Sequence, residues 1–313
     1  MMHLGRLALL SVLAVSASAA NAAVTNLGTA NDFNAFIFED ATTTGGHAEG
    51  AIAVGRNWNM NYELYNNSLT ASYGTLTDAK MIVGNNVVTG NIARVMAHNA
   101  YIGNSVSGNL EMQNGGTKTV GNKALIDGMF AQQYAYSTAQ STQLGALAAT
   151  TIGFQQNNYN VNLANSGGLN VFSIDGSSLS GNQTLGFQGG NGNETVVVNV
   201  AGKTINWSAS LNNYRNRIVW NFFEAETINI SGRDFDGAML APLAHVNQTG
   251  NNIEGTMIAR SWTNGGSREL HFGSQFKFDG DDLPAVNAVP EPASMAALAL
   301  GGLALLRRRR KNS

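Results

Sequence analysis

The hexapeptide DGAMLA at residues 236–241 returns as EGTMIA at residues 254–259, an offset of 18 residues. A looser copy, EGAIAVG, stands at residues 49–55, near the opposite end of the chain. Self-similarity at a fixed period is the signature of a fold built from stacked structural repeats. The sequence therefore indicates that one short unit recurs along the chain.

A second motif has nearly the same period. An apolar residue followed by Gly-Asn occurs at residues 83–85, 102–104 and 120–122, at offsets of 19 and 18. A strand path of that length, at about 3.3 Å per residue, measures roughly 60 Å and suits one three-sided coil with tight corners. We therefore expect each repeat to form one coil that stacks on the next.

Apolar side chains recur within TVVVNV at residues 195–200 and IVWNFF at residues 218–223, so that inward positions alternate with outward ones. Gly and Asn accept the left-handed backbone angles of corners, and stacked Asn side chains can hydrogen-bond between coils. These features predict an all-β fold, a right-handed parallel β-helix (β-solenoid) with about 18 residues per coil. A β-sandwich is the alternative, but it has no reason to repeat at this period.

One segment, residues 124–150, breaks the strand pattern and predicts a flanking α-helix. Its large side chains Phe130, Tyr134, Leu144 and Leu147 follow spacings of four and three, which place them along one helical face. We interpret that face as part of the core. Residues 32–38 are interpreted as a shorter N-terminal helix or capping element.

The amino terminus has the features of a secretory signal peptide. Arg6 precedes a short apolar run and a stretch of small residues, with predicted cleavage after Ala22. A buried N-terminal helix is the alternative. We therefore expect residues 1–22 to be removed by signal peptidase and residues 23–284 to form one exported domain.

The carboxyl terminus, residues 285–313, has three parts. Pro290, Glu291 and Pro292 precede the apolar residues 293–306, and a basic tail at 307–311 follows, with arginines Arg307, Arg308, Arg309 and Arg310. The apolar segment spans roughly 21 Å as a helix, less than the hydrocarbon core of a bilayer, which is about 30 Å thick. This order resembles the PEP-CTERM sorting signal, which implies recognition by an exosortase-type membrane enzyme in Gram-negative bacteria that make exopolysaccharide. A plain single-pass anchor is the alternative.

Charge and composition exclude several classes of protein. Without the two terminal signals the chain has 12 Lys and Arg against 19 Asp and Glu, a net charge of −7. Such a surface lacks the basic footprint of a nucleic-acid-binding protein. The chain has no cysteine, so disulfides and cysteine-based zinc sites are excluded.

Few residues suggest site chemistry, and no cofactor is predicted. The histidines at 47, 98, 245 and 271 are too far apart in sequence to predict a metal site, and Glu269 with His271 is interpreted as a structural hydrogen bond. Asp279, Asp281 and Asp282 could offer oxygen ligands to calcium, as could Asp234 with Asp236. None of these matches a full calcium motif, so solvated corner residues are the favoured interpretation.

The domain resembles the choice-of-anchor A family over about residues 26–284. The matching stretches are FNAF at 33–36, EGAIAVG at 49–55, VWNF at 219–222, GAMLAP at 237–242, GTMIA at 255–259 and ELHF at 269–272. The resemblance implies a β-helix related to ice-binding-like adhesive domains, without known catalytic residues.

Taken together, the sequence predicts a secreted, surface-sorted structural or adhesive protein rather than an enzyme. Its expected partners are exopolysaccharide or another surface ligand, and the membrane through residues 293–306 before processing. One alternative is a polysaccharide-acting enzyme that uses Glu224 and Glu226 as paired carboxylates. Ice binding is a further alternative, although it needs a flat face of regularly spaced Thr and the threonines are scattered in the sequence.

Overall fold

The computed structural model describes residues 26–65, 67–154 and 157–286. These residues form a mostly β architecture with one α-helix, α1 (Lys123–Gly145), and short 3-10 helices at Gly28–Asp32 and Gly176–Ser180. The predicted signal peptide and the apolar segment 293–306 lie outside the described residues. Within the described part, no helix is both long and apolar enough to cross a membrane.

The strands fall on either side of α1 in the chain. Those before α1 are β1 Phe33–Ile37, β2 Ala41–Thr43, β3 His47–Ala48, β4 Ala51–Val54, β5 Trp58–Leu64, β6 Ala71–Tyr73, β7 Leu76–Val83, β8 Asn86–Val95, β9 Asn99–Ile102, β10 Ser105–Ser107, β11 Glu111–Met112 and β12 Lys118–Val120. Those after α1 are β13 Thr150–Thr151, β14 Asn158–Asn162, β15 Leu169–Asp175, β16 Thr184–Gln188, β17 Thr195–Ala201, β18 Thr204–Trp207, β19 Ser210–Leu211, β20 Ile218–Asn221, β21 Thr227–Ile230, β22 Phe235–Asp236, β23 Ala238–Gln248, β24 Ile253–Glu254, β25 Met257–Asn264 and β26 Leu270–His271.

Parallel pairing arranges these strands in three ladders, which form three faces of a coil. The helix-covered face consists of β13, β15, β17, β20, β23, β25, β1, β4, β7, β9 and β12, in that order. The polar face consists of β18, β21, β23, β25, β2, β5, β8 and β10. The charged face consists of β22, β24, β26, β3, β5, β8 and β11. Strands β14, β16 and β19 form a separate small parallel sheet, and β6 runs antiparallel to β7.

The order of the coils in space differs from their order in the sequence. Strand β1 lies between β4 and β25, with Ala35 in register with both Ile52 and Met257. The coils that follow α1 in the sequence therefore occupy one end of the stack, and the coils that precede α1 occupy the other end, with β1 next to β25 where the two sets meet. We call this junction between β1–β3 and β25–β26 the seam.

Helix α1 makes this order possible because it returns the chain along the stack. The ladder from β13 to β12 has eleven strands, or about 48 Å at ~4.8 Å per spacing. The 23 residues of α1 span about 34 Å, and the four residues before β13 add about 13 Å. The helix with its linker thus matches the height of the stack.

Coil length varies along the stack. Met239 pairs with Met257 at an offset of 18 residues, but Ile52 pairs with Met81 at an offset of 29 and Phe172 with Val198 at an offset of 26. The longer coils contain additional elements, the β6 strand in one and the 3-10 helix Gly176–Ser180 in the other. The offset of 18 therefore describes only some coils.

Two apolar cores hold the domain together. The first fills the coil interior, where Trp58, Trp207, Trp220 and Trp262 are buried and each indole N–H donates a hydrogen bond. The second lies between the helix-covered face and α1. Burying the tryptophans with their N–H groups satisfied avoids the desolvation cost of an unpaired donor.

Helix α1 differs from its predicted arrangement. It ends at Gly145, and Tyr134 is exposed, whereas Phe130 and Leu144 are buried as expected. Polar residues occupy much of the buried face, namely Gln133, Ser137, Gln140 and Ser141. Three of these side chains, Gln133, Gln140 and Ser141, hydrogen-bond to polar groups of the chain packed against α1. The spacing of apolar residues alone therefore does not identify the buried side of the helix.

Asn221 and Ser141 show this polar interface directly. The Ser141 hydroxyl donates to the Asn221 Oδ1 at 2.6 Å, and the Asn221 amide donates to the Ser141 carbonyl at 2.9 Å.

The segment 32–38 also differs from its interpretation as a helix, because it forms β1 after a 3-10 turn. Its pairing with strands on both sides outweighs its local helical character.

Asn34 links the coils at the seam and is fully buried. Its amide donates to the carbonyls of Gly255 at 2.7 Å and His271 at 3.1 Å, and its oxygen accepts from the Gly50 N–H at 3.2 Å. Asn34 thus satisfies backbone groups from both halves of the chain.

We predict that Asn34→Ala lowers the free energy of unfolding by about 2 to 4 kcal/mol, because it leaves buried backbone groups without partners. Chemical denaturation measures the effect. Asn59→Ala, at an exposed position, is the control and should change stability by less than about 0.5 kcal/mol. Equal stability of the two variants would contradict the role given to Asn34.

Candidate binding face and histidine–carboxylate cluster

The polar face presents a column of amide and hydroxyl side chains. Strand alternation buries Ile205, Ile228 and Val246 and turns the neighbouring residues outward. Consecutive rungs of the ladder then bring into register Asn206, Asn229, Asn247, Thr263, Thr42 and Asn59. We call these six residues the polar column.

Hydrogen bonds order part of the polar column. The Asn229 amide donates to the Asn206 Oδ1 at 2.9 Å, and the Asn247 amide donates to the Asn229 Oδ1 at 3.4 Å. Coils are about 4.8 Å apart, so the column repeats at that spacing. The result is a rigid, uncharged array of hydrogen-bonding groups.

A second outward column runs beside it and consists of Thr204, Thr227, His245 and Ser261. His245 Nδ1 lies 2.9 Å from the Ser261 Oγ. Burial lowers the pKa of His245, with a smaller effect from nearby Arg260, so this histidine is neutral at physiological pH. Both columns therefore lack net charge.

The charged face has the opposite character. Arg94 joins Glu63 and Glu111 on adjacent strands, with nitrogen–oxygen distances of 2.6 Å to each carboxylate. Glu63 is in register with His47 on β3. This row of charges continues across the seam into the second half of the chain.

Across the seam, two histidines and two carboxylates meet. His47 Nδ1 lies 3.3 Å from Glu269 Oε1, and His271 Nε2 lies 3.1 Å from Glu269 Oε2. His271 Nδ1 lies 2.8 Å from Glu254 Oε1. The hydrogen bond to Glu254 raises the pKa of His271 to about 9, whereas burial lowers the pKa of His47. We call these four residues the seam cluster.

Sequence reasoning missed the seam cluster because His47 and His271 are separated by most of the domain. Glu269 and His271 were recognised as neighbours on one strand, but His47 joins them only through the pairing of β26 with β3. The similar motifs at residues 49–55 and 254–259 carry only a partial signal for this contact, because their strands β4 and β25 do not pair with each other but lie on opposite sides of β1.

Asp236 lies beside the seam cluster, on the strand next to Glu254. It is nearly buried, and its carboxylate lies 3.2 Å from Arg215 Nε and accepts from the Leu211 N–H at 3.3 Å. Burial raises the pKa of Asp236 to about 6, against the effect of Arg215.

The calcium candidates lie at a different place. Asp279 and Asp281 are exposed, and each has a carboxylate oxygen 3.9 Å from an Arg217 guanidinium nitrogen. The Asp282 carboxylate lies 3.5 Å from the Thr195 hydroxyl. Asp279 and Asp281 thus share Arg217, whereas Asp282 contacts Thr195. Calcium binding by these residues stays a prediction, as it does for Asp234 with Asp236.

The paired carboxylates considered for glycoside hydrolysis have structural partners. Glu224 accepts a hydrogen bond from the Gly202 N–H at 2.7 Å. Glu226 accepts from Lys203 Nζ at 2.7 Å, which lowers the pKa of Glu226.

The sorting residues Pro290, Glu291 and Pro292 and the arginines at 307–310 lie outside the described residues.

Comparison with known proteins gives two family matches. A family model described as a putative ice-binding-like adhesive domain matches residues 26–272, and a model of the PEP-CTERM protein-sorting motif matches residues 288–311. No curated protein matches the chain.

Solved structures with similarity include three ice-binding proteins. One from an Antarctic biological consortium is 15% identical, covers 80% of this chain and 91% of its own, and has a TM-score of 0.42. One from the Antarctic ascomycete Antarctomyces psychrotrophicus is 14% identical, covers 79% and 98%, and has a TM-score of 0.42. The DUF3494 domain of Shewanella frigidimarina ice-binding protein_1 is 12% identical, covers 80% and 97%, and has a TM-score of 0.39.

We predict that Asp236→Asn changes the pH dependence of stability. Because the pKa of Asp236 is raised, the folded state favours the protonated acid. The contribution of protonated Asp236 to stability is fully present below the ordinary pKa of 3.8 and is lost as the pH rises through about 6. The variant should match the original protein near pH ~4 and exceed its stability by about 1 to 3 kcal/mol above pH ~7.

Thermal unfolding across this pH range measures the effect. Asp127→Asn, at an exposed position on α1, is the matched control and should keep the original pH profile. A loss of stability in Asp236→Asn at neutral pH would show that the ion pair with Arg215 outweighs the burial of the carboxylate.

Proposed function

The chain belongs to the putative ice-binding-like adhesive domain family and ends in a PEP-CTERM sorting motif, and from this we propose that it is a structural adhesive of the bacterial surface. The sorting motif and the adhesive domain indicate an exported, cell-surface protein of a Gram-negative bacterium, processed by an exosortase. Removal of residues 1–22 by signal peptidase is part of the proposal. The right-handed sense of the coil and the domain bounds 23–284 are also part of the proposal.

The polar column is the observation that carries the adhesive proposal. Six outward side chains in register offer amide and hydroxyl groups without net charge at about 4.8 Å intervals. Polysaccharide hydroxyl groups are neutral donors and acceptors, which such groups can meet directly or through water. We therefore propose exopolysaccharide as the ligand class, with a place in the extracellular or biofilm matrix.

The tryptophans of this face do not take part in that contact. Trp58 and Trp262 lie on strands of the polar face, but their indoles are buried in the coil. Recognition would therefore depend on hydrogen bonds rather than on stacking of sugar rings. A rigid scaffold favours this mode because little side-chain entropy is lost on binding.

Ice binding is the second candidate function. Thr42 and Thr263 are adjacent in the polar column, and Thr204 and Thr227 are adjacent in the column beside it. These threonines, which are scattered in the sequence, are thus partly aligned on one face. Family membership favours the same candidate.

Polysaccharide cleavage has less support. Glu224 and Glu226 are already engaged with Gly202 and Lys203, and the family is described as adhesive. If the protein were such an enzyme, it would release reducing ends from polysaccharide, and this release would be lost when Glu224 or Glu226 is replaced.

We predict that the double substitution Asn229→Arg with Asn247→Arg weakens binding to exopolysaccharide from the producing strain by at least about tenfold, because bulky charges interrupt the column. Co-sedimentation with the polysaccharide measures binding. Asn158→Arg, an exposed position on β14 away from this face, is the matched control. Binding that is equal in the double variant and the control would exclude the polar face as the polysaccharide site.

Thermal hysteresis of the same proteins tests the second candidate. Hysteresis that is present in the original protein and lost in the double variant, without polysaccharide binding, would replace exopolysaccharide by ice as the ligand of this face.

We predict that replacing Pro290, Glu291 and Pro292 by Ala prevents processing, so that a longer form accumulates in the membrane fraction. Immunoblotting of fractionated cells measures this. Asn287→Ala, just outside the matched motif, is the control and should be processed normally. Normal processing of the triple variant would contradict recognition of these residues.

A further inference from the structure

We infer that His47, Glu269 and His271 form a binding site for one divalent transition-metal ion of the zinc type. The three side chains each offer one ligand atom, and these atoms lie within 4.8 Å of one another. Two imidazoles with one carboxylate are a ligand set that suits zinc and related borderline metals. The site would join β3 to β26 across the seam.

The distances fit such a metal. Zinc–nitrogen and zinc–oxygen bonds of about 2.0 to 2.2 Å place two ligands of a tetrahedral ion roughly 3.3 Å apart. His47 Nδ1 lies 3.3 Å from Glu269 Oε1, and His271 Nε2 lies 3.1 Å from the other oxygen, Oε2. With all three ligand atoms within 4.8 Å of one another, a small turn of the side chains brings them around one ion, and the ion displaces the proton of the His271 Nε2 into solvent.

The surrounding residues hold the two histidines in place. Glu254 contacts the Nδ1 of His271 at 2.8 Å, which leaves Nε2 directed towards Glu269. A carboxylate on the second ring nitrogen is the usual companion of a metal-bound histidine. The ring of Tyr65 stacks on that of His47, with centroids 3.8 Å apart and planes 3° apart.

The backbone of both strands is held as well. The Tyr62 hydroxyl is 2.7 Å from the carbonyl of His47 and 2.9 Å from that of Arg268, the residue before Glu269. One phenol thus joins the two segments that supply the ligands. This preorganisation reduces the entropy lost when a metal binds.

The charge of the neighbourhood favours a cation. Besides Glu269, the carboxylates of Glu254 and Glu49 are close by, and Glu49 accepts a hydrogen bond from the Phe272 N–H. Glu63 shares the cation Arg94 with Glu111. The ligands are between one-sixth and two-fifths exposed, so an ion can reach them from solvent.

The test uses the full-length purified protein after removal of metal with EDTA. Titration calorimetry with zinc chloride should show one ion bound per chain, and the melting temperature should rise with zinc because the ion binds only the folded site. Calcium chloride should have neither effect at this site, because calcium prefers oxygen ligands.

His47→Gln is the main variant because it removes one ligand and leaves the contact between His271 and Glu254 in place. We expect its zinc affinity to fall at least tenfold. His98→Gln is the matched control, because His98 pairs with Asp78 outside the seam cluster, and its affinity should be unchanged. Glu269→Gln should behave like His47→Gln.

Cobalt(II) provides a second readout that reports on coordination itself. It should give the visible absorption of a tetrahedral nitrogen–oxygen site in the original protein and in His98→Gln, and that absorption should be lost in His47→Gln. Absence of zinc binding, or equal affinity in His47→Gln and His98→Gln, would overturn the inference and leave the seam cluster as an ion-paired network only.

Discussion

Parallel backbone pairing between β1 and β25 is the contact on which the rest of the structure depends. It joins the coils that precede α1 to those that follow it, and without it each half would expose an open strand edge. The pairing has the register Ala35 to Met257, and the buried amide of Asn34 satisfies backbone groups beside it. The continuous stack, and therefore the long faces, follow from this closure.

The sequence indicates which segments repeat, but it does not indicate the order in which the coils stack. The recurring motifs at residues 236–241 and 254–259 lie on adjacent strands at an offset of 18, as their similarity suggested. Parallel strands and one flanking helix were also predicted correctly. The seam was not, because periodicity specifies which residues form a coil but not which coil lies next to which.

The same limit explains the errors in detail. Tyr134 was placed in the core because spacing alone defined the stripe, whereas the buried side of α1 includes Gln133 and Ser141, which hydrogen-bond to the chain opposite. The segment at 33–37 becomes a strand because it gains partners on both sides. Likewise the seam cluster depends on a contact between residues 47 and 269, which no local pattern records.

The two ends of the described domain both lie on the side of the stack that α1 covers. The Asn26 carbonyl accepts hydrogen bonds from Tyr136 and Gln140 of α1, and Asn31 donates to the carbonyl of Phe278. Leu283 lies in the same core as α1, so a tether attached at this side would leave the polar face uncovered and free to contact a ligand.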